Sequence, residues 1–326
     1  MALLSLYPDI APYKTGAMDT GDGHTLYWEA CGNPDGVPLV FLHGGPGSGI
    51  AGWNRQFFDP EKYNIILFDQ RGCGQSRPFG SLDNNTTAHL VKDIEQLRSL
   101  LGIDSWVVFG GSWGATLALA YADAHADKIQ ALVMYGIFLC RPLELEAIYH
   151  DGGVASQVFP DVFEDYLALL PKEDRADPIQ GYKKLFDGPD ALRALDMWTR
   201  IEKKVADIVV TDAQMEEGMA DAAHVKSVAL IENHYFLNNG FVDGDALLGR
   251  IGAKLAHIPV HIVQGRYDMV CPFKTAWELH KAVPHSVLHV IDTAGHRARH
   301  PLMADKLVAI MNDLDVMEAK NVKRAH

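Results

Sequence analysis

The stretch that most constrains this chain is Val107-Val108-Phe109-Gly110-Gly111-Ser112-Trp113-Gly114-Ala115-Thr116-Leu117-Ala118-Leu119-Ala120. It opens as a short apolar run that reads as a buried strand and closes as an alanine- and leucine-rich helix. Between the two, Gly110, Ser112 and Gly114 form a G-x-S-x-G turn, in which glycine at both flanks avoids Cβ collisions. A serine strained into such a turn stands clear of the sheet. A base can then reach its oxygen from one side and a carbonyl carbon from the other. The strand before and the helix after favour this reading over a tight turn whose serine merely caps the helix.

The rest of the chain supplies the matching scaffold. Residues 20–42 read as a strand pair, 24–30 and 38–42, across a Gly/Asn/Pro/Asp turn. Further strands are expected at 63–68, 129–137, 258–265 and 286–291. Apolar residues at 90, 94, 97 and 101 have helical spacing, with Gly102 as the C-terminal cap. Helices are also expected at 273–282 and 303–314, and the Lys/Arg-containing tail 320–326 is expected to fray. Strands alternating with helices imply an α/β fold with a mainly parallel sheet covered on both faces. From about 139 to 240 strand signals fade and short amphipathic helices dominate, with 19 Asp and Glu against 10 Lys and Arg. The expected organisation is a core from 1–138 and 241–326, interrupted by a helical cap at 139–240.

Composition narrows the partners. At 326 residues and 48% hydrophobic the chain can bury a large core, and its net charge of −13 argues against nucleic acid or an anionic membrane. The first residues lack the basic segment and apolar run of a signal peptide, and no stretch approaches a membrane span. Cys31, Cys73, Cys140 and Cys271 lack metal-type spacing, as expected of free thiols in a cytoplasmic protein. With neither H-E-x-x-H nor paired C-x-x-C, no metal or other cofactor is expected.

A serine hydroxyl needs a base, and the base an orienting carboxylate. In a fold of this kind they follow in the order Ser, Asp or Glu, His, on loops after later strands. Asp268 lies just past one strand end and His296 just past the next, one helix and one strand apart. His285, His289 and His300 are the competing histidines and Asp292 the rival acid. The three glycines of His43-Gly44-Gly45-Pro46-Gly47 leave backbone N–H groups uncovered, so Gly45 or Gly44 can join Trp113 in an oxyanion hole. Asp69 and Arg71 read as loop-fixing residues.

Taken in order, the motifs resemble the prolyl iminopeptidases of the α/β-hydrolase superfamily. They are Asp22–Glu29, His43–Gly47, Asp69–Ser76, Asn85–Thr87, Gly110–Gly114, Gly136–Phe138, Ile231–Phe236, Tyr267–Pro272 and Ala294–His296. The resemblance implies a serine exopeptidase that removes N-terminal proline from a small peptide or amino-acid amide. It further implies that Glu202 and Glu232 bind the free imino group, and that Phe138, Tyr149, Phe236 and Cys271 form the pyrrolidine pocket. A carboxylate in a partly desolvated site suits recognition of a cation. Three departures stand out: Tyr135 where arginine is expected, Ile201 where tryptophan is expected, and the basic run Arg297-Ala298-Arg299-His300 after the histidine. Two alternatives stay open, a related serine hydrolase or acyltransferase acting on other amides, esters or lactones, and a scaffold that binds a small ligand without catalysis.

Overall fold

The computed structural model describes residue 3 and residues 5–316, so the tail at 320–326 lies outside the described residues. The strands are β1 (Lys14–Asp19), β2 (Thr25–Gly32), β3 (Val37–Leu42), β4 (Tyr63–Phe68), β5 (Trp106–Ser112), β6 (Ile129–Ile137), β7 (Val260–Gly265) and β8 (Val287–Ile291). They form one sheet in the order β1-β2-β4-β3-β5-β6-β7-β8. From β4 to β8 every pairing is parallel, while β1 and β2 add an antiparallel edge. The expected pairing of the segments around 24–30 and 38–42 does not form, because β4 lies between β2 and β3. The intervening turn straddles the start of β4, and the N–H groups of Asn33 and Val37 donate to the carbonyls of Tyr63 and Lys62.

Alternation along the central strands fills both faces. Val40, Ile66, Val108, Leu132 and Ile262 join one apolar core, while Leu39, Ile65, Val107, Ala131 and Val263 join the other. That two-sided burial explains the unbroken apolar runs, which would be unstable on a half-wet sheet. β1 carries no such run, and of its residues only Met18 is buried.

Helices α1 (Thr87–Leu100) and α2 (Trp113–His125) flank β5. Between β6 and β7 come α3 (Pro142–Tyr149), α4 (Val154–Val158), α5 (Pro160–Ala168), α6 (Pro178–Phe186), α7 (Ala191–Val205), α8 (Asp212–Met219), α9 (Ala222–Leu237) and α10 (Gly244–Lys254). Then α11 (Phe273–Ala282) precedes β8, and α12 (Pro301–Asp313) follows it. α2 is buried along most of its length from Trp113 to Ala122, which accounts for its apolar composition on all sides. Among the described residues no helix is long and apolar enough to cross a membrane. Arg71 is fully buried in a two-pronged ion pair with Asp93 at 2.6 and 2.7 Å, and Asp69 accepts from the N–H groups of Ile50 and Gln75. Both therefore pin the loop after β4.

Candidate active site

Ser112 ends β5 and begins the turn into α2 with φ 56° and ψ −127°. For a residue with a side chain this backbone costs of order 1–3 kcal/mol, a strain that only the surrounding packing sustains. That packing leaves room for nothing but glycine on either side. A Cβ on Gly110 would lie 2.4 Å from the Gly114 carbonyl oxygen, and one on Gly114 would lie 2.1 Å from that of Leu42. Ser112 consequently projects into a cavity of about 1110 Å³ that Gly44, Gly45, Tyr135, Glu202, Lys203 and His296 also line.

Behind the cavity, His296 Nδ1 lies 2.8 Å from Asp268 Oδ2. Asp268 is buried, and donors surround both of its oxygens. Oδ1 accepts from the N–H groups of Val270 and Cys271 at 3.0 and 2.7 Å, and Oδ2 accepts from Gln264 Nε2 at 2.9 Å. Gln264 is itself fixed, since its Oε1 accepts from the Ile137 N–H. The imidazole fits only because residue 136 is glycine, at φ 56°, where a Cβ would come within 2.8 Å of His296 Cε1. Burial drives the His296 pKa down, but Asp268 opposes it by charge and hydrogen bond, with Glu202 and Asp207 adding to it, and the net direction is upward. Ser112 Oγ lies 3.9 Å from Cys271 Sγ, and no hydrogen bond joins it to His296. Such bonds often tighten only once substrate is bound.

The opposite wall is a braced loop. Gln70 donates through Nε2 to the His43 carbonyl at 2.9 Å and accepts through Oε1 from Trp113 Nε1 at 3.0 Å. One side chain thus ties the glycine loop to the residue after the serine. The Gln70 N–H donates to His43 Nε2, and burial takes the His43 pKa down to about 4, so the neutral ring acts as acceptor. A Cβ on Gly44 would sit 3.4 Å from that of Ser112, which places the loop beside the nucleophile. Helix α9 is latched to the same loop, where Ser227 Oγ donates to the Gly47 carbonyl at 2.9 Å.

The two glutamates singled out from the sequence meet in the helical run. Glu202 on α7 lines the cavity and accepts from Tyr149 Oη at 3.2 Å. Glu232 on α9 is fully buried; its Oε2 accepts from Trp198 Nε1 at 2.8 Å, while Oε1 has no partner. Burial pushes its pKa well above the usual carboxylate range, and the charge of Glu202 pushes the same way. Around the pair, Tyr149 stacks on Trp198 at 4.5 Å, and Phe236 contacts Phe138, Tyr149 and Trp198 with ring centroids 5.7–6.3 Å apart. Phe138, Tyr149, Phe236 and Cys271 are buried and do not line the large cavity. Burial raises the Cys271 thiol well above its ordinary pKa, so it faces Ser112 uncharged.

Of the competing residues, all but His300 lie elsewhere or have other partners. Asp292 pairs with Arg266 at the surface, His289 lies beside His261, and His285 bonds the Ile258 carbonyl. His300 alone of the three lines the cavity. Two clusters among the described residues bring three metal-type ligand atoms together, His43 with Asp69 and Cys73, and Asp268 with Cys271 and His296. In each the histidine and carboxylate atoms already hold hydrogen bonds, as given above. Sequence reasoning missed Gln70 and Gln264, which each bridge two groups through their amide oxygen and nitrogen, and Trp198, which acts through its indole nitrogen. Gly136 was noted only as part of a motif, although its place directly before an apolar pair at the end of a strand was a usable signal.

Tyr135 covers Gly111, where a Cβ would come within 2.0 Å of its ring. Ile201 is fully buried beside Glu202 on α7. Tyr135 thus lies in the wall of the cavity, whereas Ile201 is packed in the core behind it.

A family model of the alpha/beta hydrolase fold matches residues 37–298. The chain is 47% identical to a proline iminopeptidase of Xanthomonas citri, over 93% of this chain and 97% of that one. It is 46% identical to a proline iminopeptidase of Arabidopsis thaliana, over 93% and 80% respectively. Among solved structures, the proline iminopeptidase of Mycobacterium smegmatis superposes with a TM-score of 0.59 at 20% identity, covering 92% of this chain and 98% of that one, which speaks to the fold. With a strained serine at a strand-to-helix turn, a histidine backed by a buried aspartate, and relatives matched along almost its whole length, the chain belongs to the proline iminopeptidase family of α/β hydrolases.

Proposed function

We propose that this protein is a serine exopeptidase that releases N-terminal proline from short peptides through Ser112, His296 and Asp268. His296 takes the Ser112 proton as Oγ attacks the prolyl carbonyl, and Asp268 holds the imidazole orientation and stabilises the imidazolium. The N–H of Trp113, with that of Gly45 or Gly44, stabilises the oxyanion. Loss of one such donor typically costs about 2.7–4 kcal/mol of transition-state energy. His296 then gives its proton to the leaving amine, the prolyl ester forms on Ser112, and water reverses the sequence.

The observation that carries the specificity is the pair of adjacent carboxyls, Glu232 buried beside Glu202. Burial raises the Glu232 pKa, the charge and hydrogen bond of Glu202 add to it, and Glu232 Oε1 has no other donor. A buried acceptor without a donor is costly, and two adjacent carboxyls repel once ionised. A protonated proline nitrogen donates to the pair and, as a cation, draws Glu232 into its ionised form. A substrate without a free imino group cannot. The aromatic shell of Phe138, Tyr149 and Phe236 suits the apolar pyrrolidine ring, and helices of the 139–240 segment act as the cap that closes over it.

Covalent labelling with a fluorophosphonate tests the nucleophile. The wild-type protein is expected to take one label, lost in Ser112→Ala, and an unlabelled wild type would contradict the mechanism. Labelling with ester hydrolysis but no prolyl-arylamide cleavage would keep the serine chemistry and move the substrate elsewhere.

A further inference from the structure

The basic run after His296 has no part in the mechanism above, yet it lines the same cavity. Arg297 follows the proposed base directly and lines the cavity with it and Ser112. The loop is rigidly placed, since the His296 N–H donates to the Ala206 carbonyl at 2.9 Å. A Cβ on Gly295 would also press within 2.9 Å of Asp207 Cα.

Across from it, Lys203 on α7 enters the cavity next to Glu202. Lys203 and Arg297 lie close enough to repel each other, and Arg297 adds to the burial that lowers the Lys203 pKa. Glu202 and Glu232 offset this only in part. Among the described residues neither cationic side chain has a carboxylate within ion-pairing distance or a side-chain hydrogen bond, although the charges of Glu202 and Glu232 act on Lys203 from further off. Of the acids lining the cavity, Glu202 accepts from Tyr149, Asp221 caps α9 and Asp207 accepts from the Ile208 N–H, while Glu217 also lines it and lies outside ion-pairing distance of either cation. Arg299 sits above the Trp53 ring at 5.7 Å, adding positive charge at the same wall. Two cations lining one cavity with no carboxylate in ion-pairing contact favour an anion between them.

We infer that Lys203 and Arg297 bind a carboxylate on the leaving side of the scissile bond, so that the preferred substrates are very short peptides bearing one. This rests on the peptidase reading above and names its substrate class. Spacing sets the length. Two residues span at most about 7 Å, and Glu202 and Lys203 are neighbours on one helix, so a dipeptide zwitterion can reach both signs of charge.

The test measures kcat/KM for prolyl-alanine, prolyl-alanine amide and prolyl-glutamic acid α-amide, each divided by the same protein's value for a neutral prolyl-arylamide. Wild type is expected to favour prolyl-alanine over its amide by about tenfold or more, as a charge-assisted contact gives. Arg297→Gln and Lys203→Gln should each bring that ratio toward one, and Arg297→Lys should retain most of it. A high value for the glutamyl amide would support the same site, with a side chain as the source of the carboxylate. A ratio near one in wild type, or an unchanged ratio in both glutamine variants, overturns the inference while arylamide cleavage leaves the peptidase reading standing. Absence of arylamide cleavage in wild type would bring down both.

Discussion

Asp268 and Glu232 are both buried carboxyls of one site, yet they are held in opposite ways. Asp268 has donors on both oxygens, from two backbone N–H groups, Gln264 and His296. Glu232 has one donor, Trp198, and an oxygen with none. The first arrangement is complete before any substrate arrives, as suits a group whose task is to hold an imidazole in place. The second is incomplete, and burial raises the Glu232 pKa well above the usual range. In the proposed reading, the unfinished carboxyl, buried behind the cavity-lining Glu202, receives a cation, whereas the finished one is part of the frame.

Removing the frame should have the larger effect. Asp268→Asn is expected to lower kcat by on the order of 10⁴, on a simple ester as well as on free prolyl-arylamide. Steady-state rates on the two substrates check this. A loss confined to the prolyl substrate would move Asp268 from the catalytic machinery to recognition and erase the contrast.

The smaller effect sharpens the link between the two regions. His296 must be neutral to act as a base, and its pKa is raised above 6.5. With His296 as the proposed base, activity is therefore retained at higher pH and lost as pH falls through a midpoint raised from that of an ordinary histidine. Because the charge of Glu202 helps to raise the His296 pKa, Glu202→Gln should move this acid limb of kcat/KM downward, read on an uncharged ester to isolate the imidazole. A midpoint that stays in place or rises would mean that the recognition wall does not reach the base.

How far these regions could be read from sequence follows the same division. The parallel strands were legible because both faces are buried, and the expected 129–137 strand coincides with β6. β1 left no signal, since its residues are mostly exposed and Gly16 fits only because the Trp28 ring occupies the space a Cβ would need. The turn at 32–37 looked like a hairpin because local chemistry cannot reveal that β4 arrives from residue 63 to fill the gap. Ser112, Asp268 and His296 were singled out because each follows a strand in a fixed chain order, and the structure brings His296 and Asp268 to 2.8 Å beside the cavity that Ser112 lines. Glu202 and Glu232 were not legible on composition alone, and they were singled out through resemblance. Their environment is assembled from Tyr149, Trp198 and Phe236, which are far apart in the chain and indistinguishable from core aromatics in a string of letters.

The central claim is that the Glu232 and Glu202 pair recognises the free imino terminus, and the most direct measurement is kcat/KM for free and N-blocked prolyl-arylamide in wild type and Glu232→Gln. Wild type should strongly favour the free substrate. Glu232→Gln should lose about 2–3 kcal/mol on it, roughly 30- to 150-fold, and little on the blocked one. Equal losses on both substrates, or a wild type indifferent to blocking, would contradict the account.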